Sequence, residues 1–453
     1  MRISIIGTGY LGAVHAAAMA SIGHEVLGVD SDPQRVATLN DGRAPFFEPG
    51  LDELLARGLH SGMLRFGCSL PDAARFAQAH FICVGTPQLP DSLAADTRVV
   101  EAVIDELAPQ LTEACLVIGK STVPVGTATR LQARIAKLAP VGPEAQLAWN
   151  PEFLREGFAV QDTLQPDRLV SGVTSERADA VLRSIYAPLL EAGTPYITTD
   201  LGTAELVKVS ANAFLATKIS FINAMADLCE AAGADVVTLA MALGYDDRIG
   251  RRGLSAGLGF GGGCLPKDLR ALLARGGELG VAESLHFLHE IDAINSRRRS
   301  RTVRLAREMV GGSLLDRKVA VLGAAFKPHT DDVRDSPALD VAVAVQREGA
   351  RVSVHDPEAS DNARAIFPNL GYTPEVHKAC DDADIVLHLT DWPQYQEIEP
   401  TELRAVVRSP RLLDARNVLP LDRWQAAGWA VRGLGVRIGE PAKMACRIAA
   451  ERV

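Results

Sequence analysis

Over the first two hundred residues, short β-rich apolar runs alternate with segments of helical periodicity. The runs at 3–6 (ISII), 25–30 (EVLGVD), 80–85 (HFICVG), 115–122 (CLVIGKST) and 146–150 (QLAWN) read as strands, with helices at 11–22 and 99–110 between them. This alternation predicts a parallel sheet covered by helices on both faces. From Gly202 to about Ser300 the strand rhythm stops. Residues 204–232 carry neither proline nor internal glycine and place Leu206, Val209, Ala213, Leu215, Ile219, Ile222 and Leu228 at helical spacing. A second helical stretch, 284–309, follows a glycine-rich insertion at 250–263. The strand rhythm then resumes at 318–326 (KVAVLGAAF), 350–356 (ARVSVHD), 383–390 (ADIVLHLT) and 411–416 (RLLDAR). The expected fold is α/β: an N-terminal Rossmann-type domain (1–200), a central helical connector of the kind that forms subunit interfaces (201–310), and a C-terminal Rossmann-like α/β domain (311–453).

Composition narrows the class. A chain of 453 residues exceeds one ordinary core, and its 47% hydrophobic and 23% charged content is that of a globular protein. The net charge of -9 leaves no basic footprint for nucleic acid or an anionic membrane, so an anionic ligand must be met by locally gathered cations. No apolar run approaches the roughly 18 residues of a membrane span. The first residues run straight into a strand, without the basic flank and apolar core of a leader. The seven cysteines (Cys68, Cys83, Cys115, Cys229, Cys264, Cys380 and Cys446) are scattered, without metal-like spacing. Reduced thiols in a cytoplasmic enzyme are expected, most of them small core residues. The ten histidines show no HxH or HExxH spacing, so no metal centre is expected, and His286 and His289 read as structural.

The first candidate chemistry is a cofactor site. Gly7, Gly9 and Gly12 form GxGxxG between a strand and a helix. The first glycine allows the tight turn, the second lets backbone approach a pyrophosphate, and the third lets helix and strand pack closely. Asp30 ends the second strand, where a carboxylate binds the adenine-ribose diol and repels a 2′-phosphate. NAD is therefore the expected cofactor. Gly323 also follows a strand, but GAAFKP lacks the full fingerprint, and no second NAD site is expected.

Four further segments carry reactive side chains: NPEFLREG (150–157) with Glu152 and Glu156, ELVKVSANAFLATKISFIN (205–223) with Lys208 and Asn212 at i,i+4, GFGGGCLPKD (259–268) with Cys264, Lys267 and Asp268, and AFKPHTDDVRDSP (325–337) with Lys327 and Arg334. Singly, such residues are ordinary: a helix lysine is usually solvated and a lone cysteine usually inert. In this order and spacing they resemble the UDP-glucose/GDP-mannose dehydrogenase family over essentially the whole chain. PDRLVSG (166–172) and DDRIG (246–250) look more like its UDP-glucose branch. Gly263 stands where the family usually carries serine.

The resemblance implies a four-electron oxidation of UDP-glucose to UDP-glucuronate, with GDP-mannose or a UDP-N-acetylhexosamine as the alternative substrate. Cys264 is implied as the covalent catalyst through a thiohemiacetal and a thioester. Lys208 and Asn212 resemble the pair that stabilises developing oxygen charge, Asp268 the proton-handling partner, Glu152 the water-orienting base, and Thr122 a member of its water network. Gly7, Gly9, Tyr10, Leu11, Gly12, Asp30, Arg35, Thr86, Thr122, Glu156 and Arg334 are implied cofactor contacts, Arg334 reaching across an interdomain cleft. Glu152, Phe153, Leu154, Lys208, Asn212, Arg248, Phe260, Gly261, Lys327 and Arg416 are implied substrate contacts, with Arg248 supplied by a neighbouring subunit of a homodimer or larger homo-oligomer. A two-electron hydroxy-acid dehydrogenase would need no cysteine, and a silent NAD-binding scaffold would need none of the catalytic side chains.

Overall fold

The computed structural model describes residues 1–436; Cys446 lies outside them. Strands β1 (Arg2–Ile6), β2 (Glu25–Val29), β3 (Leu64–Gly67), β4 (Ala79–Ile82), β5 (Cys115–Gly119), β6 (Ala145–Trp149), β7 (Leu169–Gly172) and β8 (Tyr196–Thr199) form one sheet in the order β3-β2-β1-β4-β5-β6-β7-β8. Strands β1 to β6 are parallel, whereas β7 meets β6 antiparallel through Trp149 and Gly172 and carries β8 parallel to itself. The alternation of side chains sorts the core into two layers. Ile3, Ile5, Val26, Phe81 and Ile118 pack on one face, and Ile6, Leu27, Val29, Ile82 and Val117 on the other. The helix after β1, Tyr10–Ser21, is buried from Gly12 to Ala20, because alanines at 13, 16, 17, 18 and 20 let it lie close to the sheet.

A second sheet holds β9 (Lys318–Leu322), β10 (Arg351–His355), β11 (Gly371–Tyr372), β12 (Ile385–His388), β13 (Arg411–Asp414) and β14 (Ala430–Gly433) in the order β11-β10-β9-β12-β13-β14, all parallel. Both sheets reverse direction of growth beside their first strand, the switch point at which open α/β sheets bind ligands. Among the described residues only helices and loops lie between β8 and β9, including the 32-residue helix Leu201–Ala232 and the helix Phe287–Met309.

By internal contacts the chain divides into two units. One comprises Met1–Thr217, Gly261–Asp292 and Lys327–Asp335; the other comprises Lys218–Phe260, Ala293–Phe326 and the chain from Ser336. The loop bearing Cys264 and the segment bearing Lys327 and Arg334 therefore belong to the unit of the first sheet. Cys83, Cys115, Cys229 and Cys380 are buried, and Cys68 and Cys264 are exposed.

Candidate active site

The glycine turn after β1 is built for a phosphate. Gly7 has φ 86°, and a Cβ on Gly12 would stand 1.8 Å from the Gly7 carbonyl oxygen, while one on Gly9 would meet nothing within 4 Å. Gly9 caps the helix Tyr10–Ser21 without any side-chain hydrogen bond, so the first-turn amides keep their donors for an anion. Asp30 is buried; its Oδ2 accepts from the Thr8 amide at 2.8 Å, its Oδ1 from the Asp32 amide at 3.0 Å, and both oxygens from Arg35 at 3.1 Å. Burial alone would raise its pKa, but these donors outweigh burial and hold the carboxyl below its ordinary value. An uncapped helix start, an open position over Gly9 and an ionised carboxylate at the end of β2 fit NAD. Tyr10 and Leu11 open that helix, and Thr86, after β4, donates to the Thr122 carbonyl after β5 at 2.6 Å.

The same edge of the sheet gathers the reactive groups. Lys208, buried on the helix Leu201–Ala232, donates to Glu152 Oε1 at 2.8 Å. Glu152 Oε2 accepts from the Leu154 amide at 2.7 Å, which fixes the carboxylate in its loop. One turn along the helix, Asn212 Nδ2 donates to Asp268 Oδ2 at 2.7 Å, and Lys267 Nζ donates to Asp268 Oδ1 at 2.6 Å. Phe153 lies 3.8 Å beneath the Arg168 guanidinium and 5.8 Å from Lys208 Nζ. Cys264 is the N-cap of the helix Leu265–Glu278. Solvent reaches it, yet protein surrounds it closely enough that desolvation leads the causes pushing its thiol up to about 12. Glu152, Asp268 and Glu156 add to that rise, and Lys208 opposes it. Burial disfavours the Lys208 ammonium, but Glu152, Cys264 and Asp268 override this and raise its pKa. Thr122, Lys267 and Asp268 share a small cavity of about 20 Å³ with Val209 and Arg275, room for one water.

A second group of contacts secures the loop 150–159. Glu48 accepts from the Gly157 amide at 2.6 Å and the Ala159 amide at 2.7 Å, and also from the Tyr10 hydroxyl. Nothing local in the sequence marks Glu48 for this task, because the amides it holds lie more than a hundred residues away and Tyr10 lies 38 residues away. Glu156 is buried, with Arg334 Nη2 donating to Oε1 at 3.2 Å. Desolvation and the nearby Asp332 push its carboxyl up, against Arg334 and Lys327. Lys327 donates to the Glu156 carbonyl. Gly261 is buried, and the Gly262 amide donates to the Arg334 carbonyl at 3.0 Å. A Cβ on Gly263 would stand 2.5 Å from Arg334 Cζ. Glycine thus gives Arg334 the space beside the Cys264 loop that a serine would fill.

The other unit holds the remaining expected residues. Arg248 is exposed and pairs with Asp246 at 2.6 Å. Arg416 is largely buried and donates to the carbonyls of Leu389, Gly259 and Phe326 at 2.6, 3.2 and 3.0 Å. Phe260 is held by Asn295, which accepts from its amide at 2.8 Å and donates to its carbonyl at 2.9 Å. At the end of β10, where a ribose-binding acid would stand, Asp356 Oδ2 is taken up by the amides of Ala324 and Ala325 and by Trp392 Nε1. That carboxylate serves the fold.

A dinucleotide cradle beside a lysine–carboxylate–thiol cluster defines an NAD-dependent dehydrogenase. Three segments match the models of the UDP-glucose/GDP-mannose dehydrogenase family: its NAD binding domain at residues 1–190, its central domain at 202–297 and its UDP binding domain at 320–421. The chain is 39% identical over 437 residues to a UDP-glucose 6-dehydrogenase of Rhizobium meliloti (strain 1021), covering 96% of this chain and 99% of that one. It superposes with a TM-score of 0.87 on a UDP-glucose dehydrogenase from the archaeon Pyrobaculum islandicum, at 39% identity and covering 95% and 98% of the two chains. A UDP-D-ManNAc dehydrogenase from Pyrococcus horikoshii shares 26% identity at a TM-score of 0.84, covering 96% and 99%. The chain belongs to the UDP-glucose/GDP-mannose dehydrogenase family.

Proposed function

We propose that this enzyme oxidises UDP-glucose to UDP-glucuronate in two NAD-dependent steps, with Cys264 as the covalent catalyst. The observation that carries the reading is the clustering of Lys208, Glu152, Asn212 and Asp268 at the helix start bearing Cys264. The 39% identity to UDP-glucose dehydrogenases, against 26% to the UDP-D-ManNAc enzyme, favours glucose over an N-acetylhexosamine. Gly7, Gly9, Gly12, Asp30, Thr86 and Arg334 are the residues that would hold NAD. When bound, NAD accepts one hydride at each oxidation.

In the first oxidation the C6–H bond breaks as the hydroxyl proton leaves through water to Asp268. Lys208 and Asn212 stabilise the charge on oxygen. The Cys264 sulfur then bonds to the aldehyde carbon, and its proton passes to the new alkoxide, giving a thiohemiacetal. Loss of the second C–H hydride and the hydroxyl proton leaves a thioester. Water adds to its carbonyl carbon as Glu152 takes a proton; the C–S bond breaks, sulfur regains a proton and the carboxylate departs. The products are one carboxylate and two NADH per sugar nucleotide. Lys327, Arg416 and Arg248 are assigned to the diphosphate and sugar.

The three domains are assigned as 1–200, 201–310 and 311–453, and the enzyme as a cytoplasmic homodimer or larger assembly. The three matched family domains at 1–190, 202–297 and 320–421 support the division, and the exposure of Phe214, Phe221 and Leu228 on the long central helix supports the assembly; among the described residues no helix is long and apolar enough to cross a membrane. The test is NADH counted per substrate consumed across UDP-glucose, GDP-mannose and UDP-N-acetylhexosamines, with the Cys264→Ser variant beside the wild type. Two NADH on UDP-glucose are expected for the wild type, and a single-turnover burst of no more than about one per site for the variant. Two NADH per substrate from Cys264→Ser at near wild-type rate would overturn the covalent mechanism.

A further inference from the structure

Lys120, directly after β5, is a lysine the reaction scheme leaves unused, and it is buried. Its ammonium donates to Asn150 Oδ1 at 2.9 Å and stands 3.5 Å from the Tyr186 hydroxyl, which itself donates to Asn150 Oδ1 at 2.6 Å. Asn150 is tied to the sheet on its other side, its Nδ2 donating to the Val170 carbonyl and its amide to the Gly119 carbonyl, both at 2.8 Å. Two residues on is Glu152. Lys120 therefore grips the root of the loop that aims Glu152.

The groups around Lys120 leave its charge one destination. His15, from the helix Tyr10–Ser21, is buried, with neither ring nitrogen hydrogen-bonded among the described residues; desolvation first and Lys120 second depress its pKa, so it is neutral. The buried Cys83 thiol, after β4, is pushed up to about 12, and the Tyr186 phenol is pushed up by burial. Of the carboxylates, Glu152 acts on Lys120, and Lys208 is the cation opposing it. A buried lysine is unfavourable where an apolar side chain of similar volume would fit, and desolvation lowers this one to about 8. In turnover Lys208 serves both Glu152 and the oxygen of the reacting carbon. While it attends to that oxygen, Glu152 needs another cation.

We propose that Lys120 is a positioning residue for thioester hydrolysis: through Asn150 it fixes the loop of Glu152, and its buried charge sustains that carboxylate when Lys208 turns to the substrate oxygen. The proposal rests on Glu152 being the group that takes the proton from water. The test is rapid-mixing kinetics of NADH release on UDP-glucose with Lys120→Met, Glu152→Gln and wild type, with acid-quench mass spectrometry of the Cys264 peptide and a thermal melt. Methionine is close in volume and leaves the Tyr186 bond to Asn150 in place. The expected Lys120→Met result is a burst rate within about twofold of wild type, a steady-state rate about tenfold lower and accumulated thioester. Wild-type turnover should also decline above about pH 8 as Lys120 loses its proton, and the variant should lack that decline. Burst and steady state falling together with a lower melting temperature would make Lys120 merely structural and overturn the proposal. Unchanged Lys120→Met kinetics beside thioester accumulation in Glu152→Gln would overturn it alone. A Glu152→Gln enzyme without accumulated thioester would overturn the Glu152 reading and the proposal with it.

Discussion

Two glycines three residues apart should respond to the same methyl group in opposite ways. In Gly12→Ala the new Cβ lies 1.8 Å from the Gly7 carbonyl oxygen and 3.2 Å from Cys83 Cβ. A Cβ has no rotamer, so the helix must lift from the turn. Overpacking costs about 1–3 kcal/mol, and this backbone clash belongs at the upper end. For a unit of this size about 3 kcal/mol corresponds to roughly 6–12 °C in melting temperature. In Gly9→Ala the Cβ meets nothing, so stability should hold within about 1 kcal/mol. The methyl instead occupies the space over the uncapped helix start, where the pyrophosphate must approach. Losing one charge-assisted amide–phosphate bond is worth about 1.5–3 kcal/mol, a rise in Kd for NAD of about 10- to 150-fold. The assay is thermal unfolding with and without NAD, with calorimetric titration for Kd. At a hundred times the wild-type Kd, NAD should stabilise wild type by about 2.7 kcal/mol and Gly9→Ala by about 1.4 kcal/mol or less. A Gly9→Ala protein that binds NAD like wild type, or a Gly12→Ala protein that melts and binds like wild type, refutes the assignment of the turn.

Asp30→Asn should weaken NAD and relax its preference over NADP by about tenfold or more, because Arg35, released from its ion pair, can then meet a 2′-phosphate; the ratio of kcat/KM values for the two cofactors measures it. Mixing inactive Arg248→Ala chains with inactive Cys264→Ser chains should restore activity if Arg248 completes a partner's site; no recovery with subunit exchange confirmed would reject sharing. Lys120→Met should be more stable than wild type at pH 7. The lysine falls from 10.5 unfolded to about 8 folded, a penalty of up to about 3 kcal/mol. The folded protein binds fewer protons than the unfolded chain between those values. Wild type therefore gains stability as pH rises through that window, and the advantage of the variant, complete below about pH 8, should close by about 10.5. Melts across pH 7 to 10.5 would read it, and a constant difference would contradict it.

Much of the fold was legible because its signals are local. Strands β1, β2, β4, β5 and β6 stand within a few residues of the apolar runs that announce them, as do β9, β10, β12 and β13. The long central helix follows from uninterrupted periodicity between glycines. What escaped was short or marginal. β11 has two residues, and β3, β8 and β14, at four residues each, are partly exposed, whereas β4 and β12, equally short, are buried throughout and so read as continuous apolar runs.

The glycine turn, the i,i+4 pairing of Lys208 with Asn212 and the placing of Cys264 beside Asp268 were set by sequence alone, since each depends on backbone geometry within one or two turns. Tertiary structure decided which groups meet. It put Glu152 on Lys208 and Asn212 on Asp268 across 56 residues of chain, and brought Glu48 to the amides of Gly157 and Ala159. It gave Arg334 the space left by Gly263 and anchored Arg416 on three backbone carbonyls, which leaves two of the five guanidinium N–H groups for a ligand. The physical reason is that a charged side chain's role depends on its desolvation and on the partner that answers it. Lys120 and Lys267 are both lysines next to a turn. Only the packed sheet buries Lys120 beside Asn150, thirty residues away in sequence, whereas Lys267 meets its own neighbour Asp268, and the fold decides only that the two line a water-sized cavity.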